Sequence, residues 1–205
     1  SLACADLDGD KKNEVVVVDG SSVRVYKTAV GGKLIPVQTI ENESAAVTNI
    51  SVDAVDLDRN GAAEIFVTAI NDRQQRVSSF VIVFRKGKYV RKEGQYPWYF
   101  RALKDRNGIP VLYAQGHSSK KGPWHPKGVF RVVAANASYE AGDRLAVPNQ
   151  EFSVLSMADA SSVTKDGSSL YIYTGKDGRL ILFNESGKVE WMTDEGFGGS
   201  SLRYE

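Results

Sequence analysis

Among 205 residues there is one cysteine, Cys4, and there are two histidines, His117 and His125. A single thiol excludes an internal disulfide and any cysteine-based zinc site, and two imidazoles supply at most one improvised metal or catalytic cluster. Charge of one sign is also missing. The 26 Lys and Arg are balanced by 25 Asp and Glu, for a formal net charge of +1. Attraction to phosphate or anionic lipid needs clustered positive charge, and here the two signs are interspersed, which argues against a nucleic-acid partner. No run of about 18 apolar residues occurs, which argues against membrane insertion. Residues 1–6 have neither the charged start nor the apolar stretch of a signal peptide, so the compartment is not legible there. Helical periodicity is absent too: no stretch of about 12 residues repeats its apolar positions every 3.6 residues with good caps.

What is present is alternation. Apolar residues recur with period two, enriched in β-branched and aromatic types, over Glu14–Val18 and over residues 22–26, 77–84, 128–133, 170–173 and 179–183. That pattern predicts strands. Turn-forming pairs such as Asp19-Gly20, Asn60-Gly61, Asp166-Gly167 and Asp177-Gly178 lie between the runs, as hairpins require. The expected fold class is all-β.

The strands recur in groups. The segment from Asp6 to Val17 aligns with the segment from Asp56 to Val67, a displacement of 50 residues. Residues 101–113 and 157–173 keep the strand, turn, strand rhythm with fewer acidic residues. About four strands per 40 to 50 residues is the signature of a β-propeller blade, because a small four-stranded sheet buries its faces only against its neighbours. The expectation is a single region over 1–205 in units 1–46, 47–97, 98–150 and 151–205, giving about four blades. Both ends fall at the same place in the unit, which favours an arc of a larger propeller over a ring closed by this chain.

Asp6, Asp8, Asp10 and Glu14 stand at relative positions 1, 3, 5 and 9, and Asp56, Asp58, Asn60 and Glu64 repeat that spacing. A tight loop with oxygen side chains at alternate positions turns them onto one hard cation. The carbonyls of Lys12 and Ala62, at position 7, add another oxygen. So many hard ligands suit Ca²⁺ better than zinc, copper or Mg²⁺. The competing reading is an ordinary Asp-rich turn held by its own hydrogen bonds. Position 6 is Gly61 in the second loop and Lys11 in the first; a lysine held left-handed there costs roughly 1 kcal/mol or more.

These two loops, each followed by an apolar strand and repeated at blade spacing, resemble the FG-GAP or VCBS repeats of integrin-α-like β-propellers. The resemblance is specific for the first two units and only rhythmic for the last two, where Asp105 and Asp159 lack companions. It implies a structural Ca²⁺ in each loop, held by Asp6, Asp8, Asp10 and Glu14 and by Asp56, Asp58, Asn60 and Glu64. It also implies an extracytoplasmic protein, periplasmic, secreted or at the cell surface.

Residues 115–128 break the rhythm with a polar insertion carrying Trp124, His117, His125 and three lysines. Loops that interrupt a repeat are often functional, so Trp124 and His125 are the candidate ligand-binding pair; the competing reading is a loop that merely folds Trp124 over the blade edge. Residues 96–100 read as an aromatic anchor between units two and three, Tyr171, Tyr173 and Phe183 as packing, and Cys4 as a buried thiol. The function expected is a non-enzymatic, calcium-braced module that binds a protein or glycan partner. The alternatives are a propeller enzyme, lyase or hydrolase, acting on polysaccharide, or the accessory propeller of a larger enzyme.

Overall fold

The computed structural model describes residues 1–74, 76–105, 107–116, 127–136, 138–148, 152–160 and 169–196. Their regular structure is seventeen strands and one 3-10 turn, Val154–Ser156. The first sheet contains β1 (Leu2–Ala5), β2 (Glu14–Val18), β3 (Ser22–Thr28) and β4 (Leu34–Glu41). The second contains β5 (Val47–Val55), β6 (Glu64–Asn71), β8 (Phe80–Arg85) and β9 (Lys88–Arg91), with the short β7 (Arg76–Val77) also on β6. The third is β10 (Trp98–Lys104), β11 (Pro110–Gly116), β12 (Gly128–Ala135) and β13 (Ser138–Arg144). The fourth is β14 (Ala158–Asp159), β15 (Leu170–Thr174), β16 (Leu180–Asn184) and β17 (Val189–Met192). In each sheet the strands lie in chain order and pair antiparallel. The hairpins follow their turn residues: Lys86 and Gly87, both left-handed at φ 49° and 78°, join β8 to β9 as a two-residue turn that needs positive φ at both positions.

Period two does more than separate core from solvent, because the second and third sheets are buried on both faces. Along β6, Ile65, Val67 and Ala69 join Val16, Val18, Val23 and Val25 of the first sheet in one core cluster. The intervening Phe66 points the other way, into a second cluster with Trp98, Phe100, Leu112 and Phe130 of the third sheet. Strand β11 divides likewise: Leu112 and Ala114 face the second sheet, while Val111 and Tyr113 face Tyr171, Tyr173 and Phe183 of the fourth. The four sheets therefore stack in series through three apolar interfaces, the arrangement that lets such small sheets persist. The aromatic anchor is borne out, with Tyr96, Trp98 and Phe100 all buried at the second interface. Tyr171, Tyr173 and Phe183 are core residues as expected.

Polar groups on the inner strands also cross between sheets. Thr68 Oγ1 accepts from the Phe100 amide at 3.0 Å, Asp53 Oδ1 accepts from the Ala102 amide at 2.9 Å, and Arg101 Nε donates to the Met157 carbonyl at 3.0 Å. The run over 77–84 is broken where one strand was expected. Ser79 leaves its own sheet's ladder to pair with Tyr96, exchanging bonds of 3.0 and 2.8 Å, and its hydroxyl donates to the Trp98 carbonyl at 2.7 Å.

Cys4 is exposed, not buried. On β1 it is Ala3 and Ala5 that pack against the first core cluster, and strict alternation turns Leu2 and Cys4 to the opposite face. At the two ends of the stack, large apolar residues stay exposed: Leu2, Leu34, Ile35 and Val37 on the first sheet, and Val189, Trp191 and Met192 on β17. No helix among the described residues is long and apolar enough to cross a membrane.

Candidate metal centre

Both acidic loops sit where the alternation stops, between the first two strands of a sheet: residues 6–13 join β1 to β2, and residues 56–63 join β5 to β6. Each carboxylate folds the loop around itself by accepting backbone N–H bonds. Asp6 takes the Gly9 and Lys11 amides, both at 2.8 Å, and Asp56 takes those of Asn60 at 3.0 Å and Gly61 at 2.9 Å. Asp8 accepts from Asp10 at 3.2 Å and Asp58 from Asn60 at 3.1 Å. Asp10 and Asn60 accept from the amides of Lys12 and Ala62, each at 2.9 Å. Glu14 and Glu64, the first residues of β2 and β6, reach back to the Leu7 and Leu57 amides, each at 2.8 Å. The loops lie side by side, joined by a 2.7 Å bond from the Ala63 amide to the Asp6 carbonyl.

This folding converges three carboxylates in each loop. One oxygen each from Asp6, Asp8 and Glu14 lie within 4.8 Å of one another, and the same holds for Asp56, Asp58 and Glu64. Oxygens bound to one calcium at 2.3–2.6 Å can stand no more than about 5 Å apart, so each trio fits a single hard cation. Asp10 is outside its trio and is about two-fifths exposed. Asn60 is exposed and bonded to the Ala62 amide. The same Asx-type bonds are those of a self-sufficient turn, so the competing reading describes part of the geometry as well. In the third sheet only that turn is left: Asp105 accepts from the Asn107 and Ile109 amides at 2.8 and 2.9 Å, and Pro110 opens β11 where glutamate opens β2 and β6.

The two glutamates are buried, and the chemistry around them differs. Burial pushes the Glu64 carboxyl up to about 7, opposed by the Leu57 amide and reinforced by the Asp58 charge. Burial also raises the Glu14 carboxyl. Glu64 accepts a hydrogen bond from the hydroxyl of Tyr139, on the outer strand β13 of the next sheet. At the first loop the neighbour is Lys27 of β3. Its Nζ contacts Asp8 directly and lies 3.3 Å from Asp10 and 3.9 Å from Glu14. The bond to Asp8, helped by Asp10 and opposed by desolvation, holds that ammonium above the ordinary lysine range. Lys27, Tyr139 and its counterpart Tyr89 were not legible as site residues; the signal available was that the two tyrosines are themselves 50 residues apart.

A mixed groove of about 760 Å³ adjoins the second loop and is lined by Asp58, Arg59, Lys92, Arg131, Tyr139 and Asp143 among others. Trp124 and His125 lie outside the described residues; the insertion that carries them joins β11 to β12, between Gly116 and Gly128.

Residues 6–67 match the family model of the FG-GAP-like repeat. The matched span contains both acidic loops and is consistent with the FG-GAP and VCBS type of repeat. No curated protein matches the chain significantly.

Proposed function

We propose that this chain is a non-enzymatic interaction module, an arc of a β-propeller from an exported or cell-surface protein, whose first blades are braced by calcium. The observation that carries the reading is the repeat match over 6–67 coinciding with two convergent carboxylate trios at equivalent turns. The apolar surface left open on the first and last sheets supports further blades packing at both ends. In the second loop Asp56, Asp58 and Glu64 would hold the ion, with Asn60 and the Ala62 carbonyl completing the set. The first loop presents the equivalent oxygens, those of Asp6, Asp8, Asp10, Glu14 and the Lys12 carbonyl. A bound divalent cation neutralises carboxylates that burial otherwise destabilises, and so ties the β5–β6 turn to the interface beneath it. The partner would be a protein or glycan, gripped by the loops and by Trp124 and His125 in particular.

Melting curves in calcium and in excess chelator test the brace. An ion that binds only the folded loop at about 100 times its dissociation constant adds about 2.7 kcal/mol, and identical midpoints would remove calcium from the reading. For the ligand, a glycan array probed with wild type and Trp124→Ala is expected to show a signal that the substitution weakens by roughly 1 kcal/mol or more. An equal signal from both proteins would take Trp124 out of the site.

A further inference from the structure

We infer that the two acidic loops, alike in motif, are not alike in occupancy: Lys27 is a built-in cation that fills the first loop, leaves the calcium to the second, and is the residue that decides between the two. Register explains why. Val15 pairs with Tyr26 and Ile65 with Ile82, so the residue facing Glu14 is Lys27 and the residue facing Glu64 is Val83. The ammonium therefore enters the first loop from the neighbouring strand, on the side where Val23 and Val25 pack, and meets Asp8, Asp10 and Glu14 together. Valine at the equivalent place brings no charge; the Lys92 ammonium stands over the Tyr139 ring at 4.1 Å and acts on Glu64 and Asp58 through space, but none of the salt bridges among the described residues involves Asp56, Asp58 or Glu64.

A second, independent feature marks the first loop as a cation site with its coordination unfinished. Tyr89 and Tyr139 come from the outer strands of successive sheets and reach back to the preceding acidic loop. The Tyr139 hydroxyl bonds Glu64. Tyr89 is only 3% exposed, its hydroxyl has no hydrogen-bond partner, and the charges of Glu14, Asp8, Asp10 and Asp6 act on it. Its backbone is clamped in place by Gln38, whose side chain donates to the Tyr89 carbonyl at 2.7 Å and accepts from the Tyr89 amide at 2.9 Å. A buried phenol oxygen without a partner thus lies within electrostatic reach of carboxylates that Lys27 neutralises only in part. Removing the ammonium would leave an oxygen-lined site with no cation, which is what a divalent ion requires.

The inference uses the calcium reading of the second loop only as its contrast, and calorimetric titration of the chelator-stripped chain with calcium separates the two. Wild type is expected to bind one ion, Lys27→Met two, and the charge-preserving Lys27→Arg one. Asp58→Asn should bind none, and the double variant Asp58→Asn, Lys27→Met should regain one. The midpoint shift between calcium and chelator should roughly double in Lys27→Met. Two ions in wild type, or no gain in Lys27→Met, would overturn the assignment. No ion in wild type with one in Lys27→Met would overturn the calcium reading of the second loop and leave this one standing. If Lys27→Met does not fold in chelator, recovery in calcium supports the inference. Failure in calcium as well, with Lys27→Arg folding normally, refutes it.

Discussion

Asp53 is a buried carboxylate whose contribution to stability depends on pH in a direction that can be worked out in advance. It sits on β5 at 7% exposure. Oδ1 accepts from the Ala102 amide of the third sheet, and Oδ2 has no hydrogen-bond partner. Burial pushes the carboxyl from 3.8 up to about 6, against the Ala102 amide and the Arg101 charge. A folded value above the unfolded one means that the protonated form is the one the fold favours. The stability due to Asp53 is therefore fully present below about 3.8 and is lost as pH rises through about 6. A difference of about 2 units at 1.36 kcal/mol per unit makes the cost of the ionised group about 3 kcal/mol at pH 8. Asp53→Asn keeps the acceptor for Ala102 and removes the charge, at the cost of a buried amide N–H₂ in place of Oδ2, about 1–3 kcal/mol. That cost does not vary with pH, so the decisive quantity is the difference between variant and wild type along the pH axis. Urea melts without calcium should show Asp53→Asn gaining about 2 kcal/mol on wild type between pH 4 and pH 8. A difference that stays flat over that range would mean that the carboxylate is solvated and the burial argument is wrong.

The two loop tyrosines should respond oppositely to loss of the hydroxyl. Tyr139→Phe takes the hydroxyl donor from Glu64 and leaves it the Leu57 amide, and should cost about 1–2 kcal/mol in chelator, whereas Tyr89→Phe deletes a buried group with no partner and should be neutral or stabilising; equal losses in chemical denaturation would refute the distinction. Each acidic loop places one glycine and one bulky residue in left-handed backbone, Gly9 with Lys11 and Arg59 with Gly61. Lys11→Gly and Arg59→Gly should therefore each stabilise by up to about 1 kcal/mol in thermal melts, and a loss at either position would show that its side chain offsets the strain.

The repeated four-stranded units were legible because their physics is local. A strand buried on both faces must be apolar at nearly every position, as in β6 and β11, and tight turns favour glycine or asparagine where φ is positive, as at Gly61, Gly87 and Asn136. The acidic trios were legible for the same reason, since Asp6, Asp8 and Glu14 reach one another within a single turn. Cys4 shows where local reasoning stops. Its strand alternates correctly, but which half of the alternation faces the next sheet depends on Ala3 and Ala5 meeting the first core cluster. The break at Ser79 was hidden likewise, because its cause is Tyr96, which begins the approach to the third sheet.

The same limit explains why a motif alone cannot rank the two loops. Asp-x-Asp spacing fixes how many oxygens a turn can gather, and it gathers the same trio in each. What the gathered charge does next depends on the side chains delivered by the strand that pairs with the glutamate and by the outer strand of the following sheet. In the first loop the paired strand supplies an ammonium and the outer strand a hydroxyl without a partner. In the second the paired strand supplies Val83 and the outer strand a hydroxyl bonded to Glu64. Three carboxylates drawn together with one of them buried need a positive charge or a proton, because their mutual repulsion grows as solvent is excluded. The first loop meets that need within the chain. The second has no ion pair to its carboxylates, only the charge of Lys92 acting through space, and burial raises Glu64 there as it raises Glu14. An ion that enters there displaces no paired lysine, whereas in the first loop it must displace Lys27 from Asp8, Asp10 and Glu14, and this is the physical reason for a preference between two loops that the motif makes equal.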